Sequence, residues 1–306
     1  MTQGFVEVTR CQVCGGANPT LEFEEAPYRV LRCPSCKMVW VSPRWSDDAI
    51  HAVYEEEYWK SGSPKTKGYA NYAEESALYL KTFRRRMRFI ERHVPKGGRI
   101  LDVGCAAGYF LRIAQEYGHD VQGVEVSTAI SKEAIRALGA DRVWVGTLQS
   151  LPEQRPGCAR GSFDLLTMWD VIEHVPDPQD LLREARRMLR PDGRLIVETQ
   201  NIDSRFARLL GRRWHHFKHE EHIYHFNAGT IRRVLEDSGF EIESMTSSYA
   251  GKYVSFSFIA ERASRLNKVV SFLLKPLALL RRANVYLNFH DELVVVAKPR
   301  PGAGAA

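Results

Sequence analysis

Long apolar runs are scarce in this chain. The longest, Val269–Leu280, is broken by Lys275-Pro276 and falls short of the roughly 20 residues a bilayer-crossing helix needs. No transmembrane segment is expected. Met1–Arg10 is too short and too polar for a secretion signal, so a cytoplasmic location is the expectation. Charge of one sign is also in short supply: Lys and Arg number 43 against 37 Asp and Glu, a net +6 over 306 residues. That excess admits phosphate, a nucleotide sugar, nucleic acid or a membrane surface as partner without selecting one. What remains is a globular chain with enough apolar residues, 44%, to fill one large domain and a small one.

Cysteine is limited to six residues, and four of them fall as Cys11-x-x-Cys14 and Cys33-x-x-Cys36. The 18 residues between the pairs fit a four-thiolate zinc pattern. Four thiolates close a tetrahedral shell with no open position, so such a site is structural. A region this small buries too little apolar surface to fold alone, and a bound Zn²⁺ would supply the deficit. Two disulfides are the alternative, and they require an oxidising compartment that nothing else indicates. Cys105 reads as a small filler and Cys158 as part of a surface loop.

The chemistry concentrates further on. Ile100–Val103 reads as a short buried strand, Gly104–Gly108 as a small-residue turn opening a helix, and Glu125 as the close of a second strand. A small-residue loop at the carboxyl end of a parallel strand lets a ligand approach the backbone, and an acid on the next strand can hold a ribose. Downstream come a helix from Ser127 to Gly139, a brief strand at Val143–Val145 ending in Gly146-Thr147-Leu148, and a strand at Phe163–Met168. A helix capped by Asp177-Pro178 follows, then a turn at Pro191–Gly193 and a strand at Arg194–Thr199. Such alternation requires a parallel sheet covered on both faces. The loop lacks the G-x-G-x-x-G of a dinucleotide site, which disfavours a dehydrogenase.

The run Asp102-x-Gly104-x-Ala106-x-Gly108 resembles motif I of class I S-adenosylmethionine (SAM)-dependent methyltransferases, D-x-G-x-G-x-G, departing from it at Ala106. The runs around Trp169-Asp170-Val-Ile-Glu173-His174, Pro191-Asp-Gly193 and Glu221-His222 to Phe226 resemble a branch of that family whose bacterial members carry an N-terminal zinc ribbon. Those members often act in natural-product, sugar or quinone pathways. The resemblance spans about residues 8–245. It implies an α/β Rossmann-like, doubly wound, seven-stranded and mostly parallel sheet with an antiparallel last strand. It implies SAM as cofactor, with the backbone of Gly104, Cys105, Ala106 and Gly108 at its methionine end, Glu125 at its ribose, and Asp102, Tyr109 and Val126 as further cofactor-binding residues. Thr147, Leu148, Trp169 and Asp170 are further expected contacts, and a lid segment would bring Tyr69 or Tyr72 to the methionine carboxylate. The organisation expected is a ribbon at 1–45, an aromatic linker and lid helices at 46–95, and the methyltransferase domain at 96–306 with a helical insertion at about 256–284.

His174, at the head of the segment after Trp169-Asp170, is the candidate general base, because its usual pKa near 6.5 suits proton removal at neutral pH. Trp214–His225 holds five histidines, among which His222 is a second base or a substrate ligand. With Asp170, Glu173 and His174 they also resemble the metal set of small-RNA 2′-O-methyltransferases. Arg84-Arg85-Arg86 reads as the solvated face of a helix over 77–93. The basic insertion would cap the acceptor pocket, mediate dimerisation of an otherwise monomeric chain, or rest peripherally on a membrane. O-methylation of a small metabolite is the leading expectation. RNA 2′-O-methylation and a non-catalytic cofactor-binding interaction protein are the alternatives; no basic-aromatic stacking pattern appears in the ribbon to favour RNA.

Overall fold

The computed structural model describes residues 4–46, 49, 76–152, 155–256, 259 and 283–301. The N-terminal strands are β1 (Phe5–Val6), β2 (Thr20–Glu25), β3 (Tyr28–Arg32), β4 (Val39–Ser42) and β5 (Arg44–Trp45). Then come α1 (Ser76–Ile90), β6 (Arg99–Val103), α2 (Tyr109–Glu116), β7 (Asp120–Glu125), α3 (Thr128–Leu138), β8 (Val143–Val145) and β9 (Phe163–Trp169). The chain continues through α4 (Pro178–Met188), β10 (Leu189–Gln200), α5 (Arg205–Leu210), β11 (Tyr224–His225) and α6 (Ala228–Asp237). It ends with β12 (Phe240–Thr246), β13 (Lys252–Ser255), β14 (Asn284–Leu287) and β15 (Glu292–Pro299).

The main sheet has seven strands in the order β12-β15-β10-β9-β6-β7-β8. All are parallel except β15, which runs antiparallel to both of its neighbours. Successive side chains on a strand point to opposite faces. Leu101, Leu166, Leu195 and Val295 therefore meet α4 and α6 on one face. Ile100, Leu165, Ile196 and Val294 meet α1 and α2 on the other. The helix ends follow their sequence signals: Ser127 accepts from the Ile130 amide, Asp177 accepts from the Asp180 amide before Pro178, and Asn227 forms a capping box with Thr230.

Three expectations are corrected. Pro191–Gly193 is not a turn between elements but a register irregularity inside β10. Cys158 is buried, with its thiol 3.7 Å from Gln122 Oε1. Arg86 is 3% exposed, because α1 turns that position onto the sheet, while Arg84 remains on the solvent side. The proposed lid residues Tyr69 and Tyr72 lie outside the described residues, as does nearly all of the 256–284 insertion; its last residue, Asn284, begins β14. Among the described residues no helix is long and apolar enough to cross a membrane.

The N-terminal unit is joined to the large domain. Its four-stranded sheet runs β11-β4-β3-β2, so the outer strand comes from the histidine-rich segment near residue 225. Met38 and Trp40 belong to the same core as α4 and α6. Fully burying side chains of this size contributes about 1.5–3 kcal/mol each.

Candidate active site and ribbon cluster

The four ribbon cysteines converge on one point. Each pair sits on a tight knuckle: the Gly15 amide donates to the Cys11 carbonyl at 2.8 Å and the Lys37 amide to the Cys33 carbonyl at 3.1 Å. Sulfur separations are 3.4 Å for Cys11–Cys36 and 3.5 Å for Cys14–Cys33, and none of the thiols is in a disulfide. Sulfurs around one tetrahedral Zn²⁺ stand roughly 3.8 Å apart, given bonds of about 2.3 Å, so the donor set fits that ion. Hydrogen bonds from backbone amides and neighbouring thiols outweigh burial at Cys33 and pull its pKa down to about 6, favouring a thiolate.

The cofactor candidates collect at the carboxyl ends of β8, β7, β6 and β9, where the chain switches direction between β6 and β9. Gly104 has φ 72° there, and a Cβ on it would stand 2.6 Å from Val171 Cγ2; only glycine fits. Gly108, at φ 75°, lets α3 approach, since a Cβ would stand 3.2 Å from that of Ala134. Ala106 holds φ 47°, which explains the family's glycine there. Its amide donates to Glu125 Oε2 at 2.8 Å, and the Ser127 amide donates to Oε1 at 2.9 Å. Glu125 is thus fixed against the loop, the arrangement a ribose-binding acid requires. Val126 and Thr147 lie partly exposed beside it, whereas Cys105 and Leu148 are buried. Tyr109 stacks on Tyr79 with ring centroids 5.5 Å apart.

Asp102 is 2% exposed and accepts from Thr167 Oγ1 at 2.6 Å, bracing β6 against β9 beneath the loop. Burial pushes its pKa up to about 8, with nearby Glu125 adding to the rise. Trp169 packs edge-on to Phe83 and Phe110. Asp170, at φ 54°, accepts from Lys252 Nζ at 2.8 Å. Burial opposes its charge, yet Lys252 holds its pKa below the usual carboxylate value.

The candidate acceptor side is made of buried titratable groups. The 3₁₀ turn Ile172–His174 follows β9, and the Ile223 amide donates to the Glu173 carbonyl at 3.0 Å. That pairing places His174 and His222 with ring centroids 4.7 Å apart. His174 Nδ1 lies 2.9 Å from the Glu221 carbonyl oxygen, which can only accept, so Nδ1 carries the proton and Nε2 the lone pair. Burial lowers the pKa of both rings, keeping them neutral near pH 7. Glu173 is fully buried; burial and then Asp170 push it up to about 8, and Thr199 Oγ1 donates to it at 2.9 Å.

Sequence reasoning missed the network beneath these groups. Arg86 donates two bonds, 2.7 and 2.6 Å, to Glu198. Lys252 bridges Asp170 and Glu292, 2.8 Å from each. One signal was present: a glutamate inside the apolar strand Leu195–Thr199 requires a buried cation.

Comparison with known proteins gives the family. The methyltransferase-domain family matches residues 72–245. The ubiquinone biosynthesis O-methyltransferase of Xanthomonas oryzae is 33% identical over 134 residues, 40% of this chain and 56% of that protein. The Idiomarina loihiensis protein of the same name is 33% identical over 122 residues, 38% of this chain and 49% of that one. The chain thus spans about half the length of these relatives. A solved structure of a SAM-dependent methyltransferase from Thermotoga maritima overlays with a TM-score of 0.49 at 19% identity, covering 75% of this chain and 95% of that one. With more than half of its length matched, the chain belongs to the methyltransferase-domain family and carries a class I SAM-dependent methyltransferase domain.

Proposed function

We propose that the protein transfers a methyl group from SAM to a hydroxyl of a small metabolite, quinone-like in the first instance, with His174 as general base and His222 beside it. The observation that carries this reading is the pair of neutral imidazoles 4.7 Å apart at the carboxyl end of β9, one with its Nδ1 proton committed to Glu221. Bound SAM supplies an electrophilic methyl on a sulfonium whose departure needs no proton. What falls to the chain is to orient the acceptor, exclude water and take the hydroxyl proton. Gly104–Gly108 and Glu125 would hold the cofactor, and Trp169 with Phe83 and Phe110 would keep water from the reacting face. The relatives' name, ubiquinone biosynthesis O-methyltransferase, supports a quinone-like acceptor methylated on oxygen. Cys11, Cys14, Cys33 and Cys36 would hold a structural Zn²⁺, a thiolate site suited to a reducing cytoplasm.

Incubation with methyl-labelled SAM and separate pools of phenolic metabolites and RNA tests this. Label should enter the phenols, and H174A should lower kcat by about 10²–10⁴-fold while SAM affinity holds. Label confined to RNA would overturn the metabolite assignment, and label in neither pool would leave a binding protein.

One observation favours a second reading. Ligand atoms of Glu173, His174 and His222 lie within 4.8 Å of one another. A divalent ion held there would bind vicinal acceptor hydroxyls, with the imidazoles as ligands and not bases. Loss of activity in EDTA, restored by Mg²⁺ or Mn²⁺ with SAM binding unchanged, would establish it.

A further inference from the structure

A second group of donors lies next to the acceptor side and takes no part in the proposed chemistry. Trp214–Phe217 passes over the start of β15 and sets His215 and His216 against Asp291. His215 Nε2 stands 3.7 Å from Asp291 Oδ2, and His216 Nε2 stands 3.8 Å from the same oxygen. Glu292 Oε1 is 3.4 Å from His216 Nε2. These separations exceed ordinary hydrogen bonds, which run to about 3.2 Å. They come close to the spacing of donors around one ion: with bonds of about 2.0–2.2 Å, two ligands of a tetrahedral ion sit roughly 3.4 Å apart. All three principal donor atoms lie within 4.8 Å of each other.

Two further observations point to a ligand. His216 Nε2 is buried with no hydrogen-bond partner, although it faces two carboxylates. Asp291 Oδ2 is oriented by the Trp214 indole, which donates to it at 2.8 Å, as outer-shell groups orient metal-binding carboxylates. Among the described residues no Lys or Arg lies within ion-pair distance of Asp291, whereas Glu292 is already paired with Lys252.

We propose that His215, His216 and Asp291 form a binding site for a divalent transition ion of the zinc or cobalt type, distinct from the cysteine cluster and from the Glu173/His174/His222 group. Two imidazoles and one carboxylate are the donor set such ions prefer over Mg²⁺ or Ca²⁺. With His216 and His222 rings 5.8 Å apart, the bound ion would share a wall with the acceptor side.

Cobalt(II) titration of the full chain, its ribbon already loaded with zinc, tests the assignment through visible d–d absorption and calorimetry. One equivalent should bind, and H215N and H216N should each weaken it at least tenfold while H222N retains it. His215 is more than a third exposed, so H215N is the variant that keeps the fold, verified by unchanged circular dichroism and SAM binding. Absence of any equivalent beyond the ribbon would overturn the proposal, as would an equivalent lost in H222N and kept in H215N.

Discussion

The two ends of the candidate cleft are built on opposite principles. At the cofactor end, a loop of small residues and an acid lie within 21 positions of each other, and the contacts run through backbone amides. At the acceptor end, the ion pairs run side chain to side chain and join distant positions. Arg86 and Glu198 are 112 apart, and Asp170 and Lys252 are 82 apart. A backbone site tolerates substitution wherever the new side chain fits the local φ and space, which Gly104 forbids, because each residue type supplies the same amide. A buried charge set exists only as a whole, because every ion left alone in the interior is uncompensated.

The largest effect should therefore come from breaking that set. R86M leaves Glu198 buried without its cation and should cost about 3–5 kcal/mol in chemical denaturation. R86M/E198L should recover much of the loss, since an apolar pair of similar volume replaces the ions. Arg84–Glu116, on the other side of the same helix, is about half exposed, so R84M should cost about 1 kcal/mol or less. Equal losses from R86M and R84M would remove the contrast between the two faces of α1.

At the cofactor end Asp102 behaves oppositely to a paired ion, and burial raises Glu125 in the same sense. Asp102 stays protonated in the folded chain up to about pH 8, whereas an unfolded aspartate ionises near 4. Between those values the unfolded state binds fewer protons, so stability falls as pH rises, by about 1.4 kcal/mol per unit. Across pH 5 to 7 this group should cost roughly 3 kcal/mol, flattening above pH 8. D102N keeps an oxygen for Thr167 and removes its titration, so urea melts of the variant should lose this part of the slope and keep the part that buried Glu173 contributes. Identical slopes in both proteins would show that Asp102 is ionised in the fold.

The same contrast decides what was legible beforehand. Asp102, Gly104, Gly108 and Glu125 could be read because motif and strand lie side by side in sequence. Helix starts at Ser127 and Asp177 were equally local. Arg86 could not be assigned, because three consecutive arginines give no sign of which one the helix turns inward. Lys252 was invisible, being a lone lysine whose partners are on β9 and β15. His174 and His222 were recognisable singly, but their meeting depends on the Glu173–Ile223 backbone bond and on β11 joining the ribbon sheet.

That junction ties the N-terminal unit by hydrogen bonds and ring contacts to the proposed acceptor end, although Met38 and Trp40 also share a core with Val103 and Val124. Phe23 packs edge-on to Phe217 at 4.8 Å, His219 Nε2 lies 3.3 Å from Glu25, and the Val41 amide donates to the Ile223 carbonyl at 3.0 Å. Stripping the proposed ribbon metal with a thiol-competing chelator should lower kcat/KM for the acceptor about tenfold, or about 1.4 kcal/mol. SAM affinity, measured by calorimetry, should fall less, because β6 and β7 share only apolar core packing with that unit and no strand of its sheet. A parallel loss of SAM binding would show that both ends depend on the ribbon.

The smallest effect probes strain at the cofactor end. Ala106 occupies the left-handed region at φ 47°, which costs a non-glycine residue about 1–2 kcal/mol. A106G relieves that strain but gives the unfolded chain more freedom, worth about 0.5–1 kcal/mol in the other direction. The balance favours the variant by about 0.5–1 kcal/mol, read as a small rise in denaturation midpoint with an unchanged m-value. The amide bonded to Glu125 survives the substitution, so SAM affinity should not fall. G104A, one turn of the same loop away, has no such relief: its new Cβ would meet Val171 at 2.6 Å in an already left-handed backbone. Stabilisation by A106G together with destabilisation by G104A would show that this loop is set by backbone conformation, whereas a loss in both would mean that Ala106 contributes through its methyl group.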